Sequence, residues 1–279
     1  MYQLSIITVN LNNNPGLRRT MESVLHQNYT EYEYIVVDGG SKDGSVQSIR
    51  EVENSFAGNF HWISEPDSGI YEAMNKGIRM AKGKYLLFLN SGDFLVHENV
   101  LKDVFDKNHD ADFIIGKCQI SKDGKIVHTT VPPDRLTFSF IFSPGIPHQS
   151  TFIKKDLFEK FGLYREDFKF NGDCEFWIRT IVLNGCSVET TDLLISDYNM
   201  DGLSSRMANS EEFQKEMSII YAHPTVRLFI PDYEKWQHER REMSIMYWAK
   251  SRKPINSLII SLYKVAVMLN KLRRKKCAA

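Results

Sequence analysis

Four short apolar runs, separated by stretches with helical spacing, fill the first ninety residues of this 279-residue chain. They are Ser5-Ile-Ile-Thr-Val9, Tyr34-Ile-Val-Val-Asp38, Phe60-His-Trp-Ile-Ser64 and Tyr85-Leu-Leu-Phe-Leu89. Short β-branched and aromatic runs suit strands buried on both faces, the habit of parallel sheets covered by helices. Between them, Leu17, Met21, Val24 and Leu25 recur at helical spacing after Pro15, followed by Val46, Ile49, Val52 and Phe56, then Ile70, Met74, Ile78 and Ala81. This alternation predicts an α/β domain with a mostly parallel sheet. After Asp112 it weakens. Phe113 to Ile120 and Ile126 to His128 flank an Asp-Gly turn and read as a hairpin. His148 to Ile153 and Leu193 to Tyr198 read as strands, and a helix begins near Asp173. The length allows one large core with an appendage.

In open α/β sheets ligands settle beyond the carboxyl ends of the strands. The loops after Val9, Asp38, Ser64 and Leu89 should therefore line one site, with Thr8, Asn10, Asp38, Ser41, Asp43, Glu65, Asp67, Asn90, Ser91 and Asp93 as its polar residues. Neither G-x-G-x-x-G nor G-x-x-x-x-G-K-[ST] occurs, so a diphosphate would find no glycine cradle. A divalent magnesium or manganese ion on a carboxylate is the alternative grip. Asn90-Ser-Gly-Asp93 ends the fourth run, where Gly92 permits a tight turn and Asp93 can project into the crevice. An Asx turn that merely ends the strand uses the same residue types.

Several segments together resemble glycosyltransferase family 2, the nucleotide-sugar-dependent enzymes of GT-A type, over roughly residues 1–205. They are Ser5-Ile-Ile-Thr-Val-Asn10, Ile35-Val-Val-Asp-Gly-Gly-Ser-Lys-Asp-Gly-Ser45, Ser64-Glu-Pro-Asp-Ser-Gly-Ile-Tyr-Glu-Ala-Met-Asn-Lys-Gly77 and Asn90-Ser-Gly-Asp93, the last falling where the family's D-x-D motif belongs. The resemblance implies a Rossmann-like sheet flanked by helices, with a nucleotide-sugar half at about 1–120 and an acceptor half at about 121–205. It implies that Asp38 accepts a hydrogen bond from the base, with uracil favoured, and that Thr8, Asn10 and Ser41 line the nucleoside pocket. Asp67, Asn75, Lys76 and Ser91 would lie near the sugar and diphosphate, and Asp93 would ligate the metal. One acidic position of the motif is replaced by Asn90 or Ser91, which makes the metal site substrate-assisted. His148 would serve at the diphosphate or metal, or simply be a satisfied structural histidine.

The catalytic base must take a proton from an acceptor hydroxyl. Gly172-Asp-Cys-Glu-Phe-Trp-Ile-Arg179 resembles the family's later acidic motif. Glu175 and Arg179 are four apart and can pair on a helix. Asp173 has no such partner and is assigned as base, with Glu175 in support; an Asp at a helix start is also an ordinary cap. Trp177 reads as core. The activity so implied is inverting transfer of a sugar from a nucleoside diphosphate, UDP favoured, to a saccharide or lipid-linked acceptor in polysaccharide biosynthesis. A sugar nucleotidyltransferase would need a basic loop near the start, and Asn10 to Gly16 holds no Lys or Arg. A non-catalytic, membrane-associated binding module is the third reading.

Net charge is zero, yet Met243 to Ala279 carries nine Lys or Arg and no Asp or Glu, leaving −9 on the first 242 residues. After Pro254, Ile255, Leu258, Ile259, Leu262, Ala266 and Leu269 form an apolar stripe, and Lys271 to Lys276 adds five positive charges. A helical, basic extension over 206–279 is expected, suited to lie on an anionic membrane face or to pack on protein. Nucleic acid is not an expected partner of the acidic body. Cys118, Cys174, Cys186 and Cys277 form no C-x-x-C pair, and no run has the length and apolarity to span a bilayer, so the expected location is the cytoplasm, at the inner face of the membrane where the tail engages it.

Overall fold

A computed structural model describes residues 2–56, 58–200 and 210–276. The chain divides into two compact units, Met1–Ile220 and Tyr221–Ala279. The boundary expected at 205/206 falls outside the described residues.

The first unit is built on one sheet, in the order β3-β2-β1-β4-β8-β6-β9-β5, with β7 paired to β6. Its first four strands are β1 (Leu4–Asn10), β2 (Tyr32–Asp38), β3 (Phe60–Ser64) and β4 (Tyr85–Phe88). They are mutually parallel and connected by α1 (Asn14–Leu25), α2 (Ser45–Glu53) and α3 (Ile70–Met80). β1 and β2 are buried at every position, as strands covered on both faces must be. Side chains alternate between faces. Leu4, Ile6, Tyr34 and Val36 meet Leu17, Met21 and Val24 of α1 and Ile49 of α2 on one side. On the other side Ile7 packs against α3 at Gly77, where an added Cβ would sit 2.4 Å from the Ile7 Cγ2.

The second half departs from simple alternation. β5 (Phe94–Leu95), α4 (Val100–Phe105), the β6 (Phe113–Lys122) and β7 (Lys125–Thr130) hairpin and a single-turn α5 (Phe138–Phe140) come first. They are followed by β8 (Thr151–Lys154), α6 (Asp156–Phe161), α7 (Gly172–Trp177) and β9 (Val188–Asn199). The hairpin expected around Asp123 is present, but β6 also pairs in parallel with β9 and antiparallel with β8. The strand expected from His148 starts only at Thr151, because His148–Ser150 is a 3-10 turn. The final strand starts at Val188, earlier than its apolar part at Leu193 announces. Aromatic contacts tie α6 and α7 to the sheet: Phe158 stacks on Phe176 at 4.4 Å, and Trp177, 1% exposed, meets Phe113 edge-on at 5.5 Å. α8 (Glu211–Tyr221) follows, all but its last residue within this unit.

The second unit consists of α9 (Pro224–Lys250) and α10 (Lys253–Lys276). Leu258 and Leu262 on α10 are each 60% exposed. No described helix is long and apolar enough to cross a membrane.

Candidate active site

Parallel strands in register end at the same level, which brings Asn10, Asp38 and Ser64 side by side. Asp38 is fully buried. Its Oδ1 accepts from Asn10 Nδ2 at 2.8 Å, and its Oδ2 accepts from the Ser41 backbone N–H at 2.9 Å and the Ser64 hydroxyl at 2.7 Å. Burial alone raises a carboxyl pKa, but the donors from Ser41, Ser64 and Asn10 outweigh it and hold Asp38 below its ordinary value. Asn10 also reaches the Ser41 hydroxyl at 3.2 Å, while its own Oδ1 is buried without a partner. Here three of the expected nucleoside residues form one hydrogen-bonded group. Thr8 lies below it, fully buried and bonded to the Tyr34 hydroxyl and the Leu89 carbonyl, so it supports the group from the core rather than lining an open surface.

Asp67 leans over this group. A Cβ on Gly39 would lie 2.6 Å from Asp67 Oδ2, so the glycine is what admits the carboxylate. Burial raises the Asp67 pKa, and the Asp38 charge adds to the rise. Lys76 is fully engaged, donating to the Pro66 carbonyl at 3.0 Å and pairing with Glu65 at 2.9 Å and Glu72 at 3.2 Å. Asn75 is interior: it brackets the Tyr164 backbone, donating to its carbonyl and accepting from its N–H. Its side chain joins α3 to the loop before α7.

The loop after β4 turns at Gly92, whose φ of +109° favours glycine. Ser91 is tied to α1 through Asn13 Nδ2, at 2.9 Å from its carbonyl and 3.4 Å from its hydroxyl. Asp93, expected to project into the crevice, is instead only 4% exposed, because β5 pairs with β9 and draws it inward. Its Oδ1 accepts from the Asn199 N–H at 3.0 Å. Burial pushes its pKa up to about 6; Asn199, His148 and Gln149 oppose the rise, and Asp197 adds to it.

Asp197 carries no sequence expectation. It is 1% exposed, with Oδ2 taking Gln119 Nε2 at 2.5 Å and the Ser121 hydroxyl at 2.6 Å, and Oδ1 unpartnered. Its signal was an acid inside the apolar run Leu193 to Tyr198. Among the described residues, no three His, Cys, Asp or Glu side chains are grouped to hold a metal. Two acids within mutual influence and a buried Asn90 Oδ1 without a partner nevertheless fit a hard cation completed by substrate oxygens.

Asp173 stands at the start of α7 and shares a row with the β4 loop. Asn90 Nδ2 lies 3.2 Å from His148 Nε2, and His148 Nδ1 lies 3.2 Å from Asp173 Oδ2. With the Asn90 amide donating to Nε2, the Nδ1–H points at Asp173. The other carboxylate oxygen accepts from the Tyr71 hydroxyl at 3.2 Å and the Cys174 N–H at 2.9 Å. Tyr71 was not anticipated, although it lies within the Ser64 to Gly77 segment. Glu175 pairs with Arg179 at 2.8 Å.

A family model for glycosyl transferase family 2 matches residues 5–168. An uncharacterised glycosyltransferase of Mycobacterium tuberculosis is 33% identical over 220 residues, covering 75% of this chain and 80% of that protein. A PGL/p-HBAD biosynthesis glycosyltransferase of Mycobacterium bovis is 28% identical over 241 residues, 83% of this chain and 90% of its own. Among solved structures, Staphylococcus aureus TarS 1-349 in complex with UDP-GlcNAc superposes with a TM-score of 0.63 at 20% identity, over 79% of this chain and 65% of that one. The mannosyltransferase PcManGT of Pyrobaculum calidifontis, in complex with GDP-Man and Mn2+, gives 0.58 at 14% identity, over 97% and 87%. At such identities the structures establish the fold, a GT-A type α/β architecture.

Proposed function

Since the chain belongs to glycosyl transferase family 2, we propose that it moves a sugar from a UDP-sugar to a saccharide or lipid-linked acceptor in cell-envelope glycan synthesis, by a single inverting displacement. The observation that carries the mechanism is the Asp173 carboxylate, held from Tyr71 on one oxygen and facing His148 on the other. The uridine base is recognised at the Asn10, Asp38 and Ser41 group, and the sugar lies toward Asp67. Asp93 and the buried Asn90 Oδ1 would hold a manganese or magnesium ion, which when bound would supply positive charge to offset the departing diphosphate.

Asp173 takes the acceptor hydroxyl's proton as that oxygen bonds to the anomeric carbon from the face opposite the diphosphate. The bond from the anomeric carbon to the diphosphate oxygen breaks with its electron pair, releasing UDP and inverting the centre. His148, whose Nδ1 lies 3.2 Å from Oδ2, orients the Asp173 carboxylate. The UDP and UDP-GlcNAc complexes of TarS favour a uridine donor. The mycobacterial relative's name, and a poly(ribitol-phosphate) β-N-acetylglucosaminyltransferase of S. aureus 33% identical over 132 residues, favour an envelope acceptor. The apolar stripe and basic end of α10 favour contact with an anionic membrane surface, where a lipid-linked acceptor would be presented.

A panel of sugar nucleotides with manganese, read by released UDP, identifies the donor. Asp173→Asn is expected to lower kcat at least about 1000-fold with UDP affinity by calorimetry nearly unchanged. Normal turnover in that variant sinks the base assignment.

A further inference from the structure

The turn leading into Asp173 is bonded to a residue far along the chain. Glu216, in α8, is 6% exposed, and its carboxylate meets three consecutive backbone N–H groups: Lys169 at 2.5 Å, Phe170 at 3.0 Å and Asn171 at 2.9 Å. The Asn171 side-chain amide adds a fourth donor at 3.1 Å. These residues form the entry to α7, whose first N–H groups lack intrahelical partners. Asn171 is the residue before the helix but makes no side-chain cap bond to it. Its amide is turned to Glu216, so the entry is held from outside.

Just after this anchor, a Cβ on Gly172 would lie 2.7 Å from the Tyr71 ring, which fixes how closely the turn approaches α3. The Asp173 N–H reaches the Tyr71 hydroxyl at 3.4 Å. The backbone that carries the carboxylate is thus gripped on one side by Glu216 and on the other by Tyr71. Charge-assisted bonds to a buried carboxylate are about twice as strong as neutral ones, and four converge here.

We propose that Glu216 is a positioning residue for the catalytic carboxylate: by filling the nest of N–H groups at 169–171 it sets the direction of Asp173 toward His148 and the acceptor. This rests on the reading of Asp173 as base. In Glu216→Gln, an amide NH2 replaces one oxygen and faces N–H donors, so the entry must shift. A displacement of about 1 Å at a reacting group costs on the order of 100-fold in rate.

The test combines kinetics with hydrogen exchange on the full chain. Glu216→Gln is expected to lower kcat about 10- to 100-fold, with KM for the donor and UDP affinity within about twofold. Amides of 169–173 exchange faster while those of β1 to β4 keep their protection. In an Asp173→Asn background the same change has no further effect on residual turnover, because the groups act as one unit. Glu216→Asp, which keeps the charge, retains more kcat than Glu216→Gln. Unchanged exchange at 169–173, unchanged kcat, or a general loss of protection and UDP affinity overturns the positioning role. Full turnover in Asp173→Asn removes the base assignment instead, and the proposal falls with it.

Discussion

Asp93 and Asp38 are both buried carboxylates, and their surroundings treat the charge in opposite ways. Asp38 collects three donors and is held below its ordinary pKa, so its contribution to stability is present above the usual carboxylate range and lost as pH falls through it. Asp38→Asn turns an NH2 toward donors and should cost about 1–3 kcal/mol, measured by urea unfolding, with weaker UDP binding in calorimetry. Asp93 has its pKa raised to about 6, so between the usual range and that value the folded chain keeps a proton that the unfolded chain has released. Stability therefore falls as pH rises across the window, and above it the penalty reaches up to about 3 kcal/mol. Asp93→Asn is expected to raise the melting temperature at about pH 8 and leave it nearly unchanged near pH 4, while abolishing manganese-stimulated turnover. Equal melting curves for both proteins at the higher pH would show that the buried charge is already compensated.

α3 shows how one element serves both packing and chemistry. Its Ile78, Met74 and Ala73 are buried, while Tyr71, Asn75 and Lys76 reach the loops around the site. The close approach to β1 depends on Gly77. Alanine there would gain about 1 kcal/mol in helix propensity, but its Cβ would collide with Ile7, which is fully buried between β2 and β4 and cannot recoil. Overpacking of this kind costs about 1–3 kcal/mol, so the steric effect should win. Gly77→Ala is expected to lower the urea midpoint and, by moving Tyr71, to reduce kcat as well. The signals for α1, α2 and α3 were legible because each helix writes its buried face into residues three and four apart. α4 and α6, at six residues each, are too short for such a period to register.

At the scale of the whole chain, the first unit contains every residue assigned to binding or catalysis, and the second carries the basic stripe. Deleting residues 253–279 should leave the unfolding transition of the first unit in place while abolishing sedimentation with phosphatidylserine vesicles; salt should weaken the binding of the intact chain. Vesicle binding that survives the deletion would dismiss the membrane role of α10. Periodicity and turn chemistry sufficed to find the four parallel strands, their helices and the loops carrying Asn10, Asp38 and Asp67, since those signals pass between near neighbours. Asp173 came from the resemblance of Gly172 to Arg179 to the family's acidic motif, and local signals added only that it opens a helix. Only the tertiary structure decided that β8, β6, β9 and β5 extend the sheet, that Asp93 turns inward beside Asp197, and that Glu216 holds the start of α7. Those contacts join residues tens of positions apart, and their free energy comes from burial and from satisfying N–H groups in three dimensions, which leaves no period in the sequence to read.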